Sequence, residues 1–151
     1  MSVNLKRQLI EVCENYVEAR INRALSGIKD LDEALKMESK SSAGDKYEMG
    51  RAMINLEFDK LLLQLEHYKG LKKTLTFVGQ KPNSARIEFG SLVKTSAANY
   101  FISIPVGEIF VENEKVYAIG INSPISQALL GKKENENFGF NGNTNQILLV
   151  E

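Results

Sequence analysis

Apolar residues in the first half of the chain fall at helical spacing. Leu5, Leu9, Val12 and Tyr16 recur at steps of four, three and four, and after a shift of phase Ile21, Leu25, Ile28, Leu31 and Leu35 carry the stripe on. A second stripe is more regular: Ile54, Phe58, Leu61, Leu65 and Tyr68 step by four, three, four and three. These are the spacings with which two helices form a coiled-coil seam. Between the stripes lies "SSAGDKYEMG", residues 41–50, rich in small residues and glycine. The pattern predicts a helical hairpin over residues 1–75 with its turn near residues 39 to 45. Each helix of about 30 residues would be roughly 45 Å long. Such a hairpin buries one thin seam, so it is expected to project rather than to form a globule.

From about residue 76 the periodicity changes. All three prolines (Pro82, Pro105, Pro124) lie beyond this point, and glycine, asparagine and β-branched residues become frequent. "ARIEFGSLVKT", "NYFISIPV", "KVYAIGI" and "NQILLVE" read as short strands. "SPISQALLGKK" reads as one short helix: Ser123 is its N-cap, Pro124 its first residue, and Gly131 follows its end. "ENENFGFNGNTN", residues 134–145, is polar and turn-rich and reads as a hairpin. The fold class expected is therefore α+β: an antiparallel helical hairpin (1–75), then a small, mostly antiparallel sheet domain with one short helix (76–151).

Charge and cysteine content narrow the function. Nineteen basic residues balance nineteen acidic ones, so no global positive field draws the chain to nucleic acid alone. The single cysteine, Cys13, permits no intrachain disulfide. The charged start "MSVNLKRQLIEVCENYVEAR" is unlike a signal peptide, and no apolar run approaches the roughly 18 residues of a membrane span. A cytoplasmic protein that spans no membrane is expected.

Few residues could carry chemistry. His67 is the only histidine, so the usual zinc constellations are missing. It reads as a surface or seam residue. Cys13 borders the first apolar stripe and reads as a small packed hydrophobe rather than a nucleophile. Gly-rich phosphate loops are also missing. Asp45 and Glu48 remain. Asp-x-x-Glu at a helix start resembles a capping box, in which Asp45 accepts from the Glu48 backbone N–H and both charges face the positive helix end. The same two carboxylates could instead share a hard cation such as Mg²⁺, provided that a partner supplies the remaining oxygen ligands.

Taken together, the two-helix start, the tip "GDKYE", "FGSLVKT", and "SPISQALLGKK" followed by a polar hairpin and "NQILLVE" resemble the Gre transcript-cleavage factors of bacterial RNA polymerase over essentially the whole chain. The resemblance implies an FKBP-like C-terminal domain that docks at the rim of the polymerase secondary channel, with Asn122, Ser123 and Pro124 near the contact. It implies a coiled coil that enters the channel. Asp45 and Glu48 match the acidic tip pair, which helps to hold a catalytic Mg²⁺ shared with the polymerase and not bound stably by the isolated protein. The chain would then be no enzyme itself. It would be a monomeric transcription elongation factor that activates the polymerase's own endonuclease, meeting the nascent RNA 3′ end and DNA only within the elongation complex. Two positions depart from the family pattern: Met49 stands where the tip usually has asparagine, and Asn122 where aspartate often precedes the Ser-Pro pair.

Three alternatives follow from the same residues. A Gre-like competitor could occupy the channel without stimulating cleavage. An FKBP-type prolyl isomerase would need an aromatic-lined pocket with a tryptophan floor, and the chain has no tryptophan. A structural coiled-coil adaptor would leave the tip pair idle.

Overall fold

The computed structural model describes residues 2–38, 44–79 and 84–151. Its elements follow in order: α1 (Ser2–Glu38), α2 (Gly44–Leu75), β1 (Leu92–Thr95), β2 (Asn99–Ser103), β3 (Gly107–Val111), β4 (Glu114–Gly120), α3 (Pro124–Leu129), β5 (Asn137–Phe140) and β6 (Asn143–Val150). The protein is α+β, a long N-terminal helical hairpin followed by a six-stranded mixed sheet and one short helix. Most of the expected hairpin turn, residues 39–43, lies outside the described residues. By internal contacts the chain forms two compact units. One is Val17–Lys72, and the other is Met1–Tyr16 with Lys73–Glu151.

In the unit Val17–Lys72, the two helices pack antiparallel. Glu18 forms an ion pair with Lys72, while nine residues further along α1 Gly27 faces Leu61. As the position on α1 rises, its partner on α2 falls. Val17, Ile21, Ala24 and Leu65 are buried along this seam, and Ile28, Leu31 and Leu35 are partly buried. The α1 seam thus steps 17, 21, 24, 28, 31, 35. Leu25, expected in the stripe, is 47% exposed, and Ala24 takes its place. Three residues after Ile21 comes Ala24, which keeps the four-three alternation that Leu25 would break, and a small residue lets the helices approach.

In the unit Met1–Tyr16 with Lys73–Glu151, the sheet has the order β3-β4-β2-β1-β6-β5. One face carries Val93, Ile102, Ile147 and Phe138, packed with Ile87 and with Ile125 and Leu129 of α3. Alternation along the strands puts Leu92, Phe101, Ser103, Ile109, Val116 and Ala118 on the other face, all buried. The first turns of α1 cover this second face. Leu5, Leu9 and Cys13 are buried, Gln8 Nε2 donates to Glu112 Oε1 at 2.7 Å, and Lys6 Nζ donates to the Glu151 carbonyl at 3.4 Å. Burying one leucine contributes about 1.5–3 kcal/mol, so Leu5 and Leu9 each matter as much as a buried aliphatic residue of the strands. The buried positions here are 5, 9 and 13, not the expected 5, 9, 12 and 16; Val12 and Tyr16 are only half-buried.

Four of the five strand pairings are antiparallel, as expected, but β2 and β4 run parallel, with Phe101 opposite Ala118 and Ile102 opposite Ile119. The one parallel pair follows from strand chemistry. Just past β2, Pro105 lacks a ladder donor, and the chain leaves the sheet. β3 then folds back on β4 through Glu112 and Asn113, both at positive φ (51° and 61°), as a type I′ turn requires. β4 carries Val116, Ala118 and Ile119, whereas β3 carries Glu108 and the exposed Phe110. The apolar strand takes the central place beside β2, and the polar one becomes the edge. The expected polar hairpin forms as β5 and β6, turning at Asn141 (φ 53°) and Gly142 (φ 80°).

Candidate functional site

α2 begins at Gly44, so Asp45 and Glu48 lie inside its first turns, three residues apart. Residues at this spacing neighbour one another on a helix surface. Asp45 stands second in the helix, and negative charge there suits the positive end of the helix dipole. Glu48 is exposed. The side chain of Asp45 lies outside the described residues. Among the described residues no cluster of three or more His, Cys, Asp or Glu could hold a metal. Two hard carboxylates fit part of a Mg²⁺ shell and cannot fill it.

The second candidate is the segment before α3. Ser123 has extended geometry (φ −66°, ψ 152°) and caps the helix: its Oγ accepts from the Ser126 backbone N–H at 3.3 Å. It also donates to Ser126 Oγ at 3.0 Å, and Ser126 Oγ donates on to the Gly120 carbonyl at 2.7 Å. Gln127 Nε2 ties the helix to the Ile121 carbonyl at 2.9 Å. Pro124 stands at the first helical position and Gly131 (φ 82°) follows the end, as the sequence predicts. Ser123 is therefore committed to the fold, while Asn122 and Pro124 are exposed.

Cys13 is fully buried, and burial pushes its thiol up to about 11. The buried hydroxyl of Ser103, which stops short of a full hydrogen bond, offsets a little of that. The thiolate is absent near neutral pH, so Cys13 is a packing residue and no nucleophile. His67 is exposed, and its ring meets that of Tyr68 edge-on, at 5.1 Å between ring centres.

Spacing alone did not reveal one further feature of α2. Met49, Met53, Leu56 and Leu63 form an exposed stripe on the side away from the seam. Their own spacing of four, three and seven was the available signal. It is obscured because the inner stripe on the same helix is denser.

No described helix is long and apolar enough to cross a membrane. No protein-family model matches the chain, and no curated protein matches it.

Proposed function

We propose that this chain is a Gre-type elongation factor, a cytoplasmic protein that binds RNA polymerase and stimulates cleavage of backtracked transcripts. One observation carries the reading: a long helical hairpin whose second helix opens on Gly44-Asp45-Lys46-Tyr47-Glu48, followed by a six-stranded sheet with a single Ser-Pro-capped helix. The sheet domain is taken as FKBP-like, and the exposed Asn122 and Pro124 beside the cap supply its docking edge. The hairpin enters the secondary channel, where RNA and DNA are met only inside the elongation complex. Asp45 and Glu48 hold one side of a Mg²⁺ whose other ligands come from the polymerase. When bound, that ion supplies Lewis-acid and water-activating chemistry to phosphodiester hydrolysis. Asp45 and Glu48 themselves contribute negative charge at the helix start and would supply carboxylate oxygens to the shared site. The polymerase remains the enzyme.

The test is a transcript-cleavage assay on a stalled elongation complex. Added protein should shorten the 3′ end of the transcript at a rate well above the intrinsic one. Tight binding with slower transcription and no cleavage would replace this reading by that of a channel competitor, for which Met49 beside Glu48 is the specific departure.

A further inference from the structure

The outward stripe of α2 carries an inference that does not rest on the polymerase reading. Met49, Met53, Leu56 and Leu63 are 66–73% exposed. At about 100° per residue they project within roughly 45° of one line. Ile54, Phe58, Leu61 and Leu65, the seam residues, project on the opposite side. α2 therefore has two apolar faces, and α1 covers only one of them. Steps of four, three and seven match the ridge spacing that another helix can mesh with.

Charge says which helix. Glu57 flanks the stripe on one side, and Asp59 and Glu66 flank it on the other. Ala52 and Gln64 are the neutral flanking positions. Among the residues whose side chains are described, Lys60 is the only lysine or arginine in the stripe, and Arg51 and Lys69 fall on the far side of the helix. A second copy of α2 fits poorly. Parallel in-register pairing sets Lys60 against Lys60, and antiparallel pairing of Met53 with Leu63 brings the Glu57 flanks of the two copies together on one side and the Asp59 flanks together on the other. Acidic flanks also oppose an anionic membrane or a nucleic acid. Methionine beside leucine gives a soft, adaptable apolar surface. We propose that the Met49–Leu63 face of α2 is a docking surface for a basic amphipathic helix of a partner protein, its apolar ridge on the Met/Leu stripe and its Lys/Arg flanks against Glu57, Asp59 and Glu66.

The experiment uses the full-length chain and two synthetic helical peptides about three heptads long, with the same leucine ridge and either lysine or glutamate at the flanking positions. Binding is read by fluorescence anisotropy at low salt. The lysine-flanked peptide should bind about tenfold or more tightly than its glutamate twin, and less tightly as salt rises. Leu56→Glu and Met53→Glu should abolish binding with helicity unchanged by circular dichroism, because both residues are exposed. Glu57→Lys combined with Asp59→Lys should reverse the preference between the peptides. Equal binding of both peptides, indifference to Leu56→Glu, or no binding at either charge would overturn the proposal. A dimer in sedimentation that Leu56→Glu dissolves would overturn it too, in favour of self-association.

Discussion

Gly27 of α1 faces Leu61 of α2 so closely that a Cβ placed on it would stand 2.9 Å from Leu61 Cδ1. The contact is with the end of a side chain, so the first added carbon can be met by a rotation of Leu61. Two effects then oppose each other in Gly27→Ala. Helix propensity favours alanine by about 0.8–1 kcal/mol, and crowding at the seam costs a similar amount. The expected result is a change in unfolding free energy within about 0.5 kcal/mol of zero. Gly27→Leu adds three more carbons against Leu61 and should destabilise by about 1–3 kcal/mol. Urea denaturation measures both, and a Gly27→Leu variant as stable as the parent would mean that the helices do not meet at this point.

The covering of the sheet by the start of α1 makes a second claim. Leu9 is fully buried with the sheet residues of its unit. Leu9→Ala should cost about 2–5 kcal/mol, as for other buried leucines. Leu25→Ala, at an exposed position of the same helix, should cost less than about 1 kcal/mol. If the two variants melt alike, residues 1–16 are not part of the sheet's core.

Cys13 supplies a pH dependence with a defined sign. Its thiol has the ordinary value of 9.0 when unfolded and is raised by burial to about 11 in the fold. The folded state thus prefers the protonated form. Its stabilising contribution is fully present below pH 9 and is lost as pH climbs through 9 toward 11, a loss on the order of 2 kcal/mol. Lys6 acts in the opposite sense, since burial lowers its pKa, with Glu151 and Glu88 opposing the shift. The Cys13 part is therefore read as the difference between the parent and Cys13→Ala, in which Lys6 cancels. The parent should lose stability more steeply than the variant across that window. Native Cys13 should also resist alkylation at pH 8 until the protein unfolds, and rapid labelling of the native state would contradict its burial.

These residues also show what the sequence made legible. The hairpin, the capped α3 and the Asn141–Gly142 turn each rest on local rules of spacing, capping or turn chemistry, and each stands where those rules put it. The errors lie where tertiary packing decided. Cys13 rather than Val12 faces inward because the first turns of α1 meet a flat sheet and bury positions four apart, whereas a helical seam needs the four-three alternation. β3 is absent from the strands that the sequence predicts because Glu112 and Asn113 are not a typical positive-φ pair, so no turn signal sets "GEIFV" apart as a strand before "KVYAIGI". The parallel β2–β4 pairing is a choice between two non-local partners, which no local rule encodes. The candidate site divides in the same way. The cap role of Ser123 was readable from Ser-Pro, but its second hydrogen bond, donated to Ser126 Oγ, and the bond that Ser126 Oγ donates on to the Gly120 carbonyl were not.

That division sets up a test of the segment before α3. Ser123→Ala removes the cap and leaves Ser126 without one of its partners, at a cost of about 1 kcal/mol. Asn122→Ala and Pro124→Ala touch exposed residues and should change stability by less than about 0.5 kcal/mol. Under the docking proposal, these two weaken polymerase binding by competition assay while melting like the parent. Weakening only by Ser123→Ala, in step with lost stability, would show that the segment is a scaffold and nothing more.

The tip pair gives the most discriminating measurement. Asp45 and Glu48 can serve the fold through the helix dipole, or serve a shared metal, and the two roles scale differently. Asp45→Asn keeps size and hydrogen-bonding capacity and removes one charge from the helix start, worth about 0.3–1 kcal/mol. Glu48→Gln changes still less, because it lies further from the helix end. A carboxylate that holds Mg²⁺ is another matter, since the neutral amide is a much poorer ligand for a hard cation. Loss of a few kcal/mol of transition-state stabilisation slows the stimulated rate by roughly 10² or more, at 1.36 kcal/mol per tenfold. Under the proposed function, each variant keeps its melting temperature within a few degrees and still competes for polymerase, while cleavage stimulation collapses and does not recover on moderate increase of Mg²⁺. If both variants stimulate cleavage as the parent does, the carboxylates serve the helix alone, and the proposed shared-metal role goes with them.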